Sequence, residues 1–256
     1  MPELPEVETV VRTVAPRLAG RRLLEVRCFT RKPWSRSVRK AAGQQIHGVR
    51  RHGKYILLEL DQGLLAIHLG MTGKLLAGAA PGPYTRVILM LDRGTVVFDD
   101  VRQFGSVRWL AGEPEGLGPD ALAVSAKEFV TRLEARRTRL KALLLDQSFL
   151  RGIGNIYADE SLFRARLHPL AIAARLSERR ALRLHQAVLT VLSEAIAKGG
   201  SSVSDYVDAD GREGTFQFHH RVYQRTGQPC TVCGTPIRRI LVAQRGTHYC
   251  PHCQRV

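Results

Sequence analysis

The sequence contains no apolar run approaching the roughly 20 residues that a membrane-spanning helix needs. Its opening, MPELPEVETV, is acidic where a secretory signal would place basic charge ahead of an apolar stretch. A cytoplasmic location without a membrane partner is therefore expected. No heptad pattern is sustained, so coiled-coil assembly is excluded and a monomer is the expectation. Internal repeats and low-complexity tracts are also missing. Only Cys28 lies outside the last 27 residues, which excludes a disulfide framework spread through the chain. Acid is scarce as well: 23 Asp and Glu stand against 39 Lys and Arg, a formal charge of +16.

What is present is a globular balance, 44% hydrophobic and 24% charged over 256 residues, enough for one large or two ordinary domains. A charge of +16 exceeds what solubility requires and calls for a polyanion. Nucleic acid and anionic membrane compete for that role. The basic residues are spread along the chain instead of filling one amphipathic helix, which favours an extended nucleic-acid surface.

The periodicity divides the chain. Residues 5–19 read as a helix, with Pro5 near its start, Val7, Val10, Val11, Val14 and Leu18 at helical spacing, and Gly20 beyond its end. From about 22 to 110 the apolar runs are short and broken by turns (LLEVRCF, YILLEL, LLAIHLGM, RVILML, TVVFDD, SVRWL), the pattern of an antiparallel sandwich or barrel. Residues 111–124 are rich in Gly, Pro and acid, as a linker is. Four helical stretches follow: Ser125 to Glu134, Thr138 to Asp146, Ile156 to Phe163, and Ser177 to Lys198, the last closed by Gly199 and Gly200. Residues 200–228 read as a mobile loop. The expected domains are 2–110, 125–227 and 228–256.

Cys230, Cys233, Cys250 and Cys253 form C-x2-C-x16-C-x2-C, the spacing of two thiolate pairs that a hairpin brings around one Zn2+. A site with four cysteine ligands is closed, so this zinc is structural and chemistry must come from elsewhere. Arg238, Arg239 and Arg245 lie between the ligands and suit phosphate, although charged edge strands are common. Cys28, alone on a strand, reads as a small buried hydrophobe.

Other phosphate-facing candidates are less specific. Gly152-Ile153-Gly154-Asn155 would expose backbone amides at a helix start, but a tight turn needing small residues fits equally well. Arg136, Arg137, Arg139 and Lys141 crowd the preceding helix. Arg102-Gln103-Phe104 pairs a cation with an aromatic, which suits insertion beside bases and also a core phenylalanine.

Together these pieces resemble the formamidopyrimidine-DNA glycosylase family, which shares a fold with the endonuclease VIII glycosylases. The likeness spans the chain. It rests on PELPEVE at residues 2–8, HGKY at 52–55, HLGMTG at 68–73, RQFG at 102–105, GIGNIYA at 152–158, and the four-cysteine finger with its AQR at 243–245. The resemblance implies a two-domain α+β fold. An N-terminal antiparallel β-sandwich with flanking helices is joined to a helical domain carrying a helix-two-turn-helix motif and a zinc-finger β-hairpin. It implies damaged double-stranded DNA as partner, and base excision of oxidised purines (8-oxoguanine, formamidopyrimidines) with lyase activity on the abasic product.

In that family the initiator Met is removed and Pro2 becomes a secondary amine. An α-amine with an unperturbed pKa near about 8 keeps a useful neutral fraction, whereas a lysine amine would be almost fully protonated. By the resemblance Pro2 is the nucleophile, Glu3 protonates the sugar ring oxygen, and Lys54 and Arg245 serve β- and δ-elimination. Met71, Arg102 and Phe104 fill the gap left by the flipped nucleotide, Arg137 and Asn155 hold phosphates, and residues 202–216 cover the purine. Glu6 is implied to help position Pro2.

Two positions depart from the family pattern: Tyr84 stands where many members have a DNA-contacting histidine, and Gln103 where many have a second arginine. Tyr84 can still donate to phosphate. The Gln103 departure removes one cation and should lower the salt dependence of binding by about one phosphate. Two alternatives stay open from the sequence: an endonuclease VIII-like enzyme acting on oxidised pyrimidines, and a zinc-dependent DNA-binding protein without catalysis.

Overall fold

The computed structural model describes residues 1–255 and divides into two compact units, one of Met1–Glu115 with Ile196–Gln217 and one of Gly116–Ala195 with Phe218 onward.

The first unit begins with α1 (Leu4–Leu18), whose buried Val7, Val10, Val11, Val14 and Leu18 follow the helical spacing. Eight strands follow: β1 (Leu23–Cys28), β2 (Ile46–His52), β3 (Tyr55–Leu60), β4 (Leu64–His68), β5 (Lys74–Ala77), β6 (Thr85–Leu91), β7 (Thr95–Asp99) and β8 (Ser106–Leu110). They make two four-stranded sheets, ordered β1-β6-β7-β5 and β2-β3-β4-β8, with every neighbouring pair antiparallel. One core of buried Val, Leu and Ile side chains joins both sheets to α1. Cys28 is half-buried against it, and burial pushes its thiol up, away from reactivity.

Two strands escape the apolar pattern, β2 and β5, and both lie at sheet edges. The β2 sequence IHGVRRH is rich in basic and polar residues and has a register shift near Gly48, and β5 is four residues long. Charge, brevity and irregularity are how an edge avoids pairing with another chain, and they also hide it from periodicity.

The return segment is held in this unit. Tyr206 and Ala209 belong to the core, the Ala77 N–H donates to the Ala209 carbonyl, and Arg17 pairs with Asp210. The expectation of a mobile loop is corrected there: apolar anchors spaced three apart, in a stretch otherwise rich in Ser, Asp and Gly, give too weak a pattern to read.

The second unit contains α2 (Ala126–Glu134), α3 (Leu140–Leu145), α4 (Asn155–Arg164) and most of α5 (Glu178–Ala197), then the hairpin β9 (Arg238–Val242) and β10 (Arg245–Tyr249). Ser125 caps α2 by accepting the Glu128 N–H at 3.2 Å.

Candidate functional site

In the first unit the chain start is built around one carboxylate. Glu6, 1% exposed, accepts the Glu3 N–H through Oε2 and the Ser201 N–H through Oε1, each at 2.8 Å. Glu3 is the N-cap of α1 and is itself buried, and Pro2 beside it is buried too. The Tyr206 hydroxyl lies 3.2 Å from the Glu6 carbonyl and 3.1 Å from that of Gly199. Burial and the Glu6 charge push that phenol well above its ordinary range, so it stays a neutral donor. The segment bearing Pro2 and Glu3 is thus tied to the base of the 202–216 loop.

Lys54 sits in the two-residue turn between β2 and β3. His52 pairs with Tyr55 across that turn, and Gly53 at φ +61° supplies the left-handed first position that such a tight hairpin requires. The antiparallel register then places His68 opposite Tyr55, with ring centroids 4.9 Å apart. Burial first, and then the charges of Lys54 and Arg108, push the His68 imidazole down to about 4. Its Nδ1 accepts the Gly70 N–H at 3.1 Å, which leaves the proton of the neutral ring on Nε2. A neutral N–H donor beside a lysine is a phosphate-binding combination. The sequence alone does not single out His68, whose signal is the strand register.

Met71, Tyr84 and Phe104 are 41%, 50% and 58% exposed, far from the core positions that large apolar residues usually take. The Arg102 guanidinium, also exposed, lies 4.7 Å from the Phe104 ring centroid. Gln103, one of the two departures, adopts φ +53°, and its Oε1 is 3.3 Å from the Thr30 hydroxyl.

In the second unit Asn155 is the first residue of α4 and donates its side-chain amide to the Gly246 carbonyl at 3.0 Å, next to exposed Arg245. Arg137 is exposed in the connection between α2 and α3. Lys141, expected among the phosphate-facing cations, is instead fully buried. Its Nζ donates to Asp159 Oδ1 at 2.6 Å and to the Asn155 carbonyl at 2.9 Å. Asp159 Oδ2 accepts the His248 backbone N–H at 2.9 Å and lies 3.1 Å from His248 Nδ1. This buried network holds the start of α4 against β10, so Asn155 and Arg245 share one frame. Asp159→Ala leaves the Lys141 charge buried without its carboxylate and is expected to cost about 3–5 kcal/mol, measured by denaturant unfolding of the variant.

The four cysteine sulfurs lie within 4.8 Å of one another. The Cys233–Cys250 and Cys233–Cys253 separations are 3.5 Å, and Cys230–Cys253 is 3.9 Å. Zinc–sulfur bonds of about 2.3 Å give a tetrahedron with edges of roughly 3.8 Å, so the donor set fits Zn2+.

Comparison with known proteins decides the family. Residues 1–107 match the formamidopyrimidine-DNA glycosylase N-terminal domain, 116–207 the H2TH domain of the same glycosylase, and 227–256 the zinc finger found in FPG and IleRS. The chain belongs to the formamidopyrimidine-DNA glycosylase family. A formamidopyrimidine-DNA glycosylase from Solibacter usitatus is 52% identical with full coverage of both chains, and one from Variovorax paradoxus is 43% identical, again over both full lengths. The crystal structure of the MutM (FPG) protein from Thermus thermophilus superimposes with a TM-score of 0.91 at 43% identity, covering 99% of this chain and 98% of that one. A Lactococcus lactis FPG mutant in complex with Fapy-dG-containing DNA gives 0.91 at 32% identity over both full chains. The α+β architecture, the helical H2TH region and the zinc-finger hairpin agree with the fold expected of this glycosylase family.

Proposed function

We propose that this glycosylase-family chain acts in the cytoplasm as a monomer on damaged duplex DNA, where it excises oxidised purines and then cleaves the strand as an abasic-site lyase. The observation that carries this reading is the shared carboxylate of Glu6, which fixes the backbone beside Pro2 while anchoring the loop assigned to cover the lesion.

Removal of Met1 exposes the Pro2 secondary amine. It attacks C1′ of the damaged nucleotide, the base departs, and Glu3 protonates O4′ so that the sugar opens. The amine proton is released and an iminium forms between nitrogen and C1′. That cation acidifies the C2′ proton, whose loss expels the 3′ phosphate, and a second elimination expels the 5′ phosphate. Lys54, with neutral His68 beside it, grips a phosphate and serves the first elimination, while Arg245 on the finger hairpin serves the second. Positive charge near a leaving phosphate is worth most where it is held in place beforehand. Asn155 and Arg137 hold phosphates flanking the lesion, and Tyr84 donates to another. Met71, Arg102 and Phe104 occupy the space vacated by the flipped nucleotide, because an orphaned base needs a hydrogen-bonding partner and the stack an apolar wedge. Zinc, held by Cys230, Cys233, Cys250 and Cys253, supplies structure to the hairpin and takes no part in bond breaking.

Excision measured on duplexes containing 8-oxoguanine or dihydrouracil tests the substrate class. Faster release of 8-oxoguanine is expected; preference for dihydrouracil would move the chain to the pyrimidine-directed, endonuclease VIII-like reading. Tight binding with neither base released would leave a zinc-dependent binding protein.

A further inference from the structure

Met71, Arg102 and Phe104 project from two connections, residues 69–73 between β4 and β5 and residues 100–105 between β7 and β8. An exposed side chain on an irregular connection has little packing to fix it, so its position must be set through the backbone. Asp100 sets it. This carboxylate is 1% exposed and accepts the Thr72 hydroxyl at 2.6 Å through Oδ1 and the Gly105 N–H at 2.7 Å through Oδ2. The Thr72 oxygen in turn accepts the Arg102 N–H at 3.2 Å. One carboxylate therefore closes the 100–105 connection on itself and fastens it to the other.

The anchor is rooted in the sheet. The Asp100 N–H donates to the Tyr84 carbonyl, and the Arg86 guanidinium donates to the Asp100 carbonyl, both at 2.9 Å. The two connections also touch directly: a Cβ on Gly70, at φ +61°, would lie 2.5 Å from the Gly105 nitrogen. Charge-assisted bonds to a buried carboxylate are short and directional, so this brace resists displacement better than loop packing alone.

We infer that Asp100 and Thr72 are positioning residues that hold Met71, Arg102 and Phe104 as one preassembled wedge, and that extrusion of the damaged nucleotide, not the chemistry at Pro2, depends on them. The inference rests on the glycosylase reading above. It separates two substrates. A lesion inside a duplex must be pushed out of the stack, whereas an abasic site in a single strand has no opposite base to orphan and needs no wedge.

The experiment follows three readouts: fluorescence of 2-aminopurine beside the lesion as the stack opens, excision from the duplex, and cleavage of a single-stranded abasic oligonucleotide with borohydride trapping. Thr72→Val removes the hydroxyl and keeps the shape. It is expected to slow the fluorescence change and duplex excision by about tenfold, the effect of losing a hydrogen bond that holds a productive geometry. Single-strand cleavage and trapping should match the unsubstituted chain, and Thr72→Ser should restore duplex excision. Asp100→Asn, which turns an amide toward one of the two donors, should slow duplex excision at least as much. The brace is refuted if Thr72→Val leaves the fluorescence change unaltered, or if it lowers single-strand cleavage in the same proportion as duplex excision. Absence of any trapped adduct with the unsubstituted chain is a separate result, which would sink the glycosylase reading and the brace with it.

Discussion

Borohydride added to the processed protein on duplex DNA containing 8-oxoguanine is expected to trap a covalent adduct, and a chain extended by one residue ahead of Pro2 is expected to trap none. The extension turns the secondary amine into an amide, which has no basic lone pair to attack C1′. Pro2→Gly, which keeps a terminal amine but loses the ring, should fall between the two. Removal of a covalent nucleophile costs roughly 10⁴-fold or more in turnover even where binding and electrostatic stabilisation survive. Binding to an uncleavable abasic analogue should change little in the extended chain, since phosphate contacts supply most of the affinity. Mass spectrometry of the mature terminus completes the test. Full excision by a chain with Met1 retained or its amine acetylated would rule out the proposed nucleophile.

How far the sequence anticipates this molecule depends on how local each signal is. The helices at 4–18, 126–134 and 178–197 are legible because cap, apolar stripe and terminating residues lie within one stretch. The four cysteines are equally legible, since metal spacing is a local rule. Edge strands β2 and β5 are not, because their polarity and brevity answer to the exposed sheet edge and not to the core. Lys141 misleads for a related reason. Among arginines in sequence it looks like another surface cation, and only the fold reveals Asp159, 18 residues away, waiting inside the unit. His68 and Asp100 acquire their meaning from partners across the sheet and across a loop. Pro2 and Glu3 are named through family resemblance, and the structure adds their link through Glu6 to Ser201, a contact spanning 195 residues.

Zinc removal is expected to have the largest effect on stability. The buried cluster around the finger consists of Phe163 of α4, Val222, Cys230, Ile237 and Cys250, two of them metal ligands, and the hairpin itself buries Val242 and Tyr249. Those five apolar side chains together contribute about 8–15 kcal/mol on burial, and structural zinc at four thiolates alone contributes about 10–16 kcal/mol. The metal is therefore the largest single contribution to the hairpin's stability. Chelation, or Cys250→Ser at a fully buried ligand position, should release the ion and abolish hydrogen-exchange protection over β9 and β10. The strands of the first unit should keep theirs, because their core contains none of the finger's residues. Loss of the hairpin frees the Asn155 amide from Gly246 and leaves Arg245 without a frame. DNA binding and the second elimination should then fall together, while the terminal amine remains intact. Protection that persists over β9 and β10 after the zinc is gone would show that apolar burial and the Asp159–His248 network hold the finger without the metal.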